Sequence, residues 1–246
     1  MATASPRYLL LQGRRLDDPM RLQEIECFAR AISAAAEQIT ALDLLRDRPT
    51  IGQIEAYDVV FVGGSGDYSI ADDQPWTDDL LATMQGLYDR QIPTFASCWG
   101  FQAMARALGG QVVTDLARAE LGTLPIELTD EGLADPLFSH CDNPLLVQLG
   151  HQDIVTRLPS MAVHLALSPR VENEAFCFPD RLMYCTQFHP ELTRADLQQR
   201  CRAYPEYVEK IAGVPIAVFL DQCQESPQAD ALIPRFLELV LQHNAG

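Results

Sequence analysis

Short apolar runs alternate with amphipathic stretches along most of the chain, the pattern of an α/β sheet protein. Tyr8 to Gln12 reads as a first strand, and Leu22, Ile25, Phe28 and Ile32 then recur at helical spacing. A short strand follows near Ile39 to Leu42, and Val59 to Val62 is a wholly apolar run that enters Gly63-Gly64-Ser65-Gly66. Asp72-Asp73-Gln74-Pro75 opens a helix from Trp76 to Arg90. Ile92 to Ser97 is extended, and Trp99 to Leu108 is a helix closed by Gly109-Gly110. Between Val112 and Phe188 the pattern changes to extended segments, among them Gly122 to Leu128, Ala162 to Ser168, Ala175 to Phe178 and Leu182 to Phe188. Pro179-Asp180-Arg181 turns the last two into a hairpin that presents His189 at its end. After Glu191, roughly fifty residues read as helices, with Leu232, Phe236, Leu239 and Val240 at helical spacing and Gly213-Val214-Pro215 as a break.

The strand-to-helix junction at Cys98 is where chemistry enters. Ala96, Ser97 and Gly100 are small enough for the backbone to fold sharply there, as in a nucleophile elbow. A helix N-terminus and a nearby imidazole both favour a thiolate, the attacking species. About ninety residues later comes Gln187-Phe188-His189-Pro190-Glu191. His189 is placed to accept the thiol proton and return one to a leaving amine, and Glu191, two residues on along an extended segment, to orient the ring. Cys98, His189 and Glu191 are therefore the candidate catalytic residues, a Ser-His-Asp logic with a softer nucleophile. The amides of Gly64 and Trp99 are the candidate oxyanion donors.

These residues resemble those of the class I glutamine amidotransferases, most of all the glutaminase part of guanosine monophosphate synthetase. The resemblance rests on Cys-x-Gly-x-Gln at 98 to 102, the His-Pro-Glu string, the glycine loop, and Gly150-His151-Gln152-Asp153-Ile154-Val155 followed by Leu158-Pro159. It implies a single-domain open, twisted, mostly parallel sheet with helices on both faces, flavodoxin-like, over residues 1–192. Residues 193–246 are then a C-terminal helical extension packed on the same domain. It also implies a γ-glutamyl thioester on Cys98, and a substrate pocket bordered by Gly63, Gly100, Gln102, His151 and Asp153. One position departs from the family: Ala96 stands where it usually has glycine, and a methyl group there implies a slightly altered elbow.

Composition narrows the partners. A net charge of −16 disfavours phosphate backbones and anionic lipid surfaces, so neither nucleic acid nor membrane is expected. The Tyr8-Leu9-Leu10-Leu11 run is too short for a signal segment or a membrane span, and cytoplasmic residence is the expectation. Seven cysteines without a Cys-x-x-Cys pair suit reduced thiols better than a disulfide or zinc framework. No cofactor or metal is expected, because the acidic cluster Asp72, Asp73, Asp78, Asp79 has no histidine near it in sequence and reads as a solvated helix start. The leading expectation is a glutaminase that feeds ammonia to a synthase on a separate chain. The alternative is a hydrolase of other γ-glutamyl compounds with the same triad, and a third is a binding or regulatory protein that retains the fold.

Overall fold

The computed structural model describes residues 6–245, so residues 1–5 and 246 of the two spans expected from sequence lie outside the described residues. Among the described residues eleven strands form: β1 Tyr8–Gln12, β2 Ile39–Asp43, β3 Val59–Val62, β4 Thr94–Ser97, β5 Gln111–Thr114, β6 Glu120–Leu128, β7 Leu145–His151, β8 Asp153–Arg157, β9 Val163–Leu167, β10 Ala175–Phe178 and β11 Met183–Thr186. Ten helices connect or follow them: α1 Met20–Ala31, α2 Ile51–Ile54, α3 Thr77–Asp89, α4 Trp99–Ala107, α5 Asp130–Ala134, α6 Arg194–Ala203, α7 Pro205–Ala212, α8 Ile216–Gln222, α9 Pro227–Asp230 and α10 Leu232–Ala245. Nine strands make one sheet in the order β2-β1-β3-β4-β11-β10-β9-β6-β7, and β5 pairs with β8 apart from it. The sheet is mostly parallel in direction, since β10 and β6 alone run against the others. Pro179–Arg181 forms a 3-10 turn between the antiparallel β10 and β11, as the sequence predicts.

The period-2 alternation along the central strands sorts the core into two layers. Leu10, Phe61 and Phe95 face α1 and α10, where Phe28 and Phe236 pack on them. Leu9, Leu11, Val60, Val62 and Ala96 face α3 and α4, against Leu80, Met84 and Phe101. The last helix thus covers the same sheet face as the first. A smaller cluster of Leu197, Cys201, Val208, Phe219 and Cys223 binds α6, α7 and α8 to one another.

One face is not the one that apolar spacing picks. Leu22 is 70% exposed, whereas Gln23 and Glu24 of α1 are buried. Glu24 shares the inward stripe with Phe28 one turn later and is drawn in by buried Arg14.

The start of α4 lies against the end of β3 at Gly100, where a Cβ would sit 2.6 Å from the Val62 carbonyl oxygen and 2.8 Å from its Cβ. Gly100→Ala therefore forces helix and strand apart. We expect a loss of roughly 1–3 kcal/mol in urea unfolding, as overpacking in a tight core costs; an unchanged midpoint would contradict this packing.

Candidate active site

The elbow forms as the sequence predicts. Cys98 follows β4 directly, with φ 52° and ψ −107°, and α4 starts at the next residue. That positive φ is a strained conformation for a residue with a Cβ and persists only where surroundings over-determine it. Three hydrogen bonds do so: Cys98 N–H to Thr186 O at 2.8 Å, Gly100 N–H to Gly63 O at 3.1 Å, and Gln102 N–H to Cys98 O at 3.1 Å. Cys98 is 6% exposed, and its sulfur lies 3.8 Å from the Gly150 carbonyl. Trp99 N–H heads α4, where the helix has no acceptor for it.

His189 and Glu191 come from the segment that leaves β11. His189 N–H donates to Gln148 O at 2.9 Å, and Gln187 N–H to Glu174 O at 2.7 Å, which fixes the path. His189 Nδ1 lies 2.6 Å from Glu191 Oε1, and since a carboxylate only accepts, Nδ1 carries the hydrogen. Burial works against charge on the ring, yet the Glu191 carboxylate and Cys98 outweigh it and push the His189 pKa up to about 9. Burial likewise opposes charge on Glu191, but His189 and then Arg200 hold its carboxyl below the ordinary value. Arg200 reaches in from α6, 3.8 Å from Glu191 Oε1 and 3.8 Å from Glu24 Oε1.

The glycine loop approaches this pair as closely as a backbone can. A Cβ on Gly64 would lie 2.9 Å from His189 Cε1 and 3.8 Å from Cys98 Cβ, and one on Gly63 would lie 2.7 Å from the Glu24 carboxylate. The predicted oxyanion pair is nevertheless not assembled here. Gly64 N–H donates at 3.0 Å to Glu24 Oε1, so it belongs to a carboxylate and not to the space above Cys98. Glu24 is fully buried and also accepts from Gln12 Nε2 at 2.8 Å and from Arg14 Nε and Nη2, each at 3.0 Å. A fixed negative charge attracts a nearby N–H strongly in such a poorly solvated spot, which is why the amide turns to it.

The other predicted residues divide. Gln102, His151 and Asp153 line a cavity of about 350 Å³ together with Cys98, Trp99 and His189. Gln102 also acts as a brace, because its Nε2 donates to Asp153 O at 2.9 Å and Gln187 Oε1 at 3.1 Å. The Asp153 carboxylate accepts from Ser69 Oγ and Thr114 Oγ1. Gly63 and Gly100 do not line the cavity; they are spacers that let α1, β3 and α4 close up. The Trp99 indole packs on Gly13 and Trp76 and supplies one wall. Sequence reasoning missed Arg14, Glu24 and Arg200, and it missed that α6 and α7 cover the cavity with Leu197, Tyr204, Tyr207 and Lys210. For Glu24 a signal existed, a charged residue one helical turn before an inward phenylalanine.

Comparison with known proteins bears on the family and the fold. The family model described as glutamine amidotransferase class-I matches residues 26–201. Among curated proteins, a GMP synthase [glutamine-hydrolyzing] from Synechococcus sp. (strain CC9605) is 34% identical over 110 residues, covering 45% of this chain and 20% of the relative. The enzyme of that name from Treponema denticola is 27% identical over 176 residues, covering 72% of this chain and 30% of the relative. The chain thus spans less than a third of the length of these relatives. Among solved structures, a glutamine amidotransferase from Thermotoga maritima superposes with a TM-score of 0.75 at 21% identity, covering 97% of this chain and all of that one. A glutamine amidotransferase from Methylobacillus flagellatus gives 0.70 at 21% identity, over 95% of each chain. At these identities the structures share the fold.

The charge on His189 yields a pH prediction. A histidine whose folded pKa lies above its unfolded value contributes stability that is fully present below the unfolded pKa and is lost as pH rises through the folded one. The window here runs from 6.5 to about 9. NMR titration of the His189 ring should show a midpoint near the upper end, and Glu191→Gln should move it down because the largest favourable influence is gone. A midpoint near the ordinary histidine value in the parent protein would contradict the pairing.

Proposed function

Because the chain belongs to the class-I glutamine amidotransferase family, we propose that it hydrolyses the side-chain amide of glutamine through a thioester on Cys98 and passes the ammonia to a synthase on another chain. The observation that carries this reading is the 2.6 Å His189–Glu191 hydrogen bond set beside a cysteine at a strained strand-to-helix turn. The Cys98 thiolate attacks the amide carbon, and the protonated His189 donates its Nε2 proton to the departing nitrogen, so ammonia leaves and a γ-glutamyl thioester remains. His189, now neutral, takes a proton from a water that attacks the thioester; glutamate leaves and the thiolate–imidazolium pair is restored. Glu191 keeps Nδ1 protonated and the ring aimed throughout.

The tetrahedral oxygen needs donors, and Trp99 N–H is the one at hand. Gly64 N–H becomes the second only by turning away from Glu24, so the hole is incomplete in the resting chain. This supports a gated glutaminase, in which occupancy of the acceptor's site on the partner completes the hole. Cytoplasmic residence belongs to the same proposal; among the described residues, no helix is long and apolar enough to cross a membrane.

One observation favours a second reading. The cavity of about 350 Å³ is covered by α6 and α7, giving room and side chains for a group attached beyond the γ-glutamyl amide. Hydrolysis of γ-glutamyl peptides uses the same thioester and releases an amine or peptide in place of ammonia.

Release of ammonia from glutamine and of amine from a panel of γ-glutamyl dipeptides, measured on the purified chain, separates the two. The gated glutaminase predicts turnover of glutamine well below the common enzyme scale of about 10 per second, and slow turnover of the peptides. Fast peptide cleavage would replace it with the second reading. Cys98→Ala should abolish either activity with the fold retained, and His189→Asn should cost nearly as much, while Glu191→Gln should be milder. Near-parental turnover by a folded Cys98→Ala protein would end the covalent mechanism.

A further inference from the structure

Behind the cavity wall, three buried side chains turn their polar ends toward one point. Glu120 opens β6, His151 closes β7 as its cross-strand partner, and Glu174 immediately precedes β10. They are 4%, 2% and 0% exposed, and one ligand atom from each lies within 4.8 Å of the others. Glu174 is held by its backbone, with its N–H on Ala166 O at 2.8 Å and its carbonyl accepting from Gln187 N–H at 2.7 Å.

Their hydrogen bonds leave a surplus of lone pairs. Glu120 Oε1 accepts from Ser168 Oγ at 2.9 Å. His151 Nδ1 lies 3.0 Å from the Asp153 carbonyl, which only accepts, so in the neutral ring Nδ1 carries the hydrogen and Nε2 presents a lone pair. Glu120 Oε2, His151 Nε2 and both oxygens of Glu174 are buried without a hydrogen-bond partner. Among the described residues, no arginine or lysine pairs with either carboxylate, and the nearest ring nitrogen is His151 Nε2, 3.3 Å from Glu120 Oε2. Buried carboxylates are normally paired with cations or coordinate a metal.

We propose that Glu120, His151 and Glu174 bind one divalent transition-metal ion, zinc by the chemistry of the donors. One neutral imidazole and two carboxylates are a nitrogen and oxygen set that zinc accepts, and two negative charges balance its two positive ones. Tetrahedral zinc with bonds of about 2.0–2.2 Å sets its ligand atoms about 3.3–3.6 Å apart, and His151 Nε2 already lies 3.3 Å from Glu120 Oε2. Rotation of the Glu174 carboxylate closes the wider edges, and its second oxygen, held to the first by the short carboxylate bite, makes a longer fourth contact that distorts the tetrahedron. Asp153 O on Nδ1 is the outer acceptor that a metal-bound histidine uses to fix its tautomer. Full burial with every position filled by protein makes the site structural. It ties β6, β7 and the entry to β10 together, and it anchors the residue after Gly150, whose carbonyl faces the Cys98 sulfur.

The competing arrangement is a proton in place of the ion. Burial and the neighbouring Glu120 charge push the Glu174 carboxyl well above its ordinary value, so without a cation it keeps its proton and donates to Glu120.

The test uses the full chain carrying Cys98→Ser, which removes the thiolate as a rival ligand. After chelator treatment the protein is equilibrated with zinc, dialysed, and its metal counted by mass spectrometry. We expect about one zinc per chain, an X-ray absorption spectrum with nitrogen and oxygen neighbours and no sulfur, and a rise in melting temperature on zinc addition. Adding the isosteric Glu174→Gln should weaken zinc retention at least about 10-fold and abolish the melting shift, while circular dichroism shows the variant folded. Should Glu174→Gln not fold, Glu120→Gln serves the same comparison. No zinc uptake by the Cys98→Ser parent, equal uptake by a folded glutamine variant, or sulfur in the spectrum would each overturn the site, the first in favour of the shared proton.

Discussion

The pairing of β4 with β11 is the constraint on which the site depends. The two strands run parallel with Ser97 opposite Thr186, so they end together, and the first bond past that register joins Cys98 N–H to Thr186 O. Parallel strands release their chains at the same sheet edge, where a cysteine and a histidine about ninety residues apart meet. The strain at Cys98 is tolerated because the sheet on one side and α4 on the other leave the turn no alternative. Everything else near the site adjusts to that edge: the glycine loop leaves β3 beside β4, and the cavity opens where β4, β7 and α6 converge.

A second layer of control comes from buried charge. Glu24 sits between Arg14, Gln12 and the Gly64 amide, and Arg200 spans the gap from Glu24 to Glu191. Glycine loop, first helix, the His189–Glu191 pair and α6 are thereby linked through one set of charged contacts. Breaking one member of such a set strands the others in a poorly solvated interior, so the loop has few stable arrangements and not a continuum. In the proposed mechanism that makes Glu24 the natural place to hold an incomplete oxyanion hole.

What the sequence showed and what it hid divide along a physical line. Cys98, His189 and Glu191 lie in short strings whose meaning is local, and the strands were legible because apolar runs such as Val59 to Val62 have little choice but burial on both faces. Glu24, Arg200 and Glu174 were not legible as site residues. Each is an ordinary charged residue until the fold brings its neighbours: Arg200 to Glu191 from α6, and Glu174 to Glu120 from across the sheet. Gly64 was read for what its loop permits, and the carboxylate that claims its N–H comes from 40 positions earlier. The helices after Glu191 were seen as helices, but their cover over the cavity follows from α7 packing on α6 and on β6, which no local pattern records.

Acid quenching of the protein during turnover, followed by peptide mass mapping, looks for the proposed covalent γ-glutamyl intermediate on Cys98 itself. The peptide carrying Cys98 should gain the mass of one glutamyl group, identically from glutamine and from any γ-glutamyl peptide the protein accepts, and the adduct should build up in His189→Asn only slowly. Turnover with no adduct on Cys98 at any quench time, or an adduct carried by another of the seven cysteines, would contradict it.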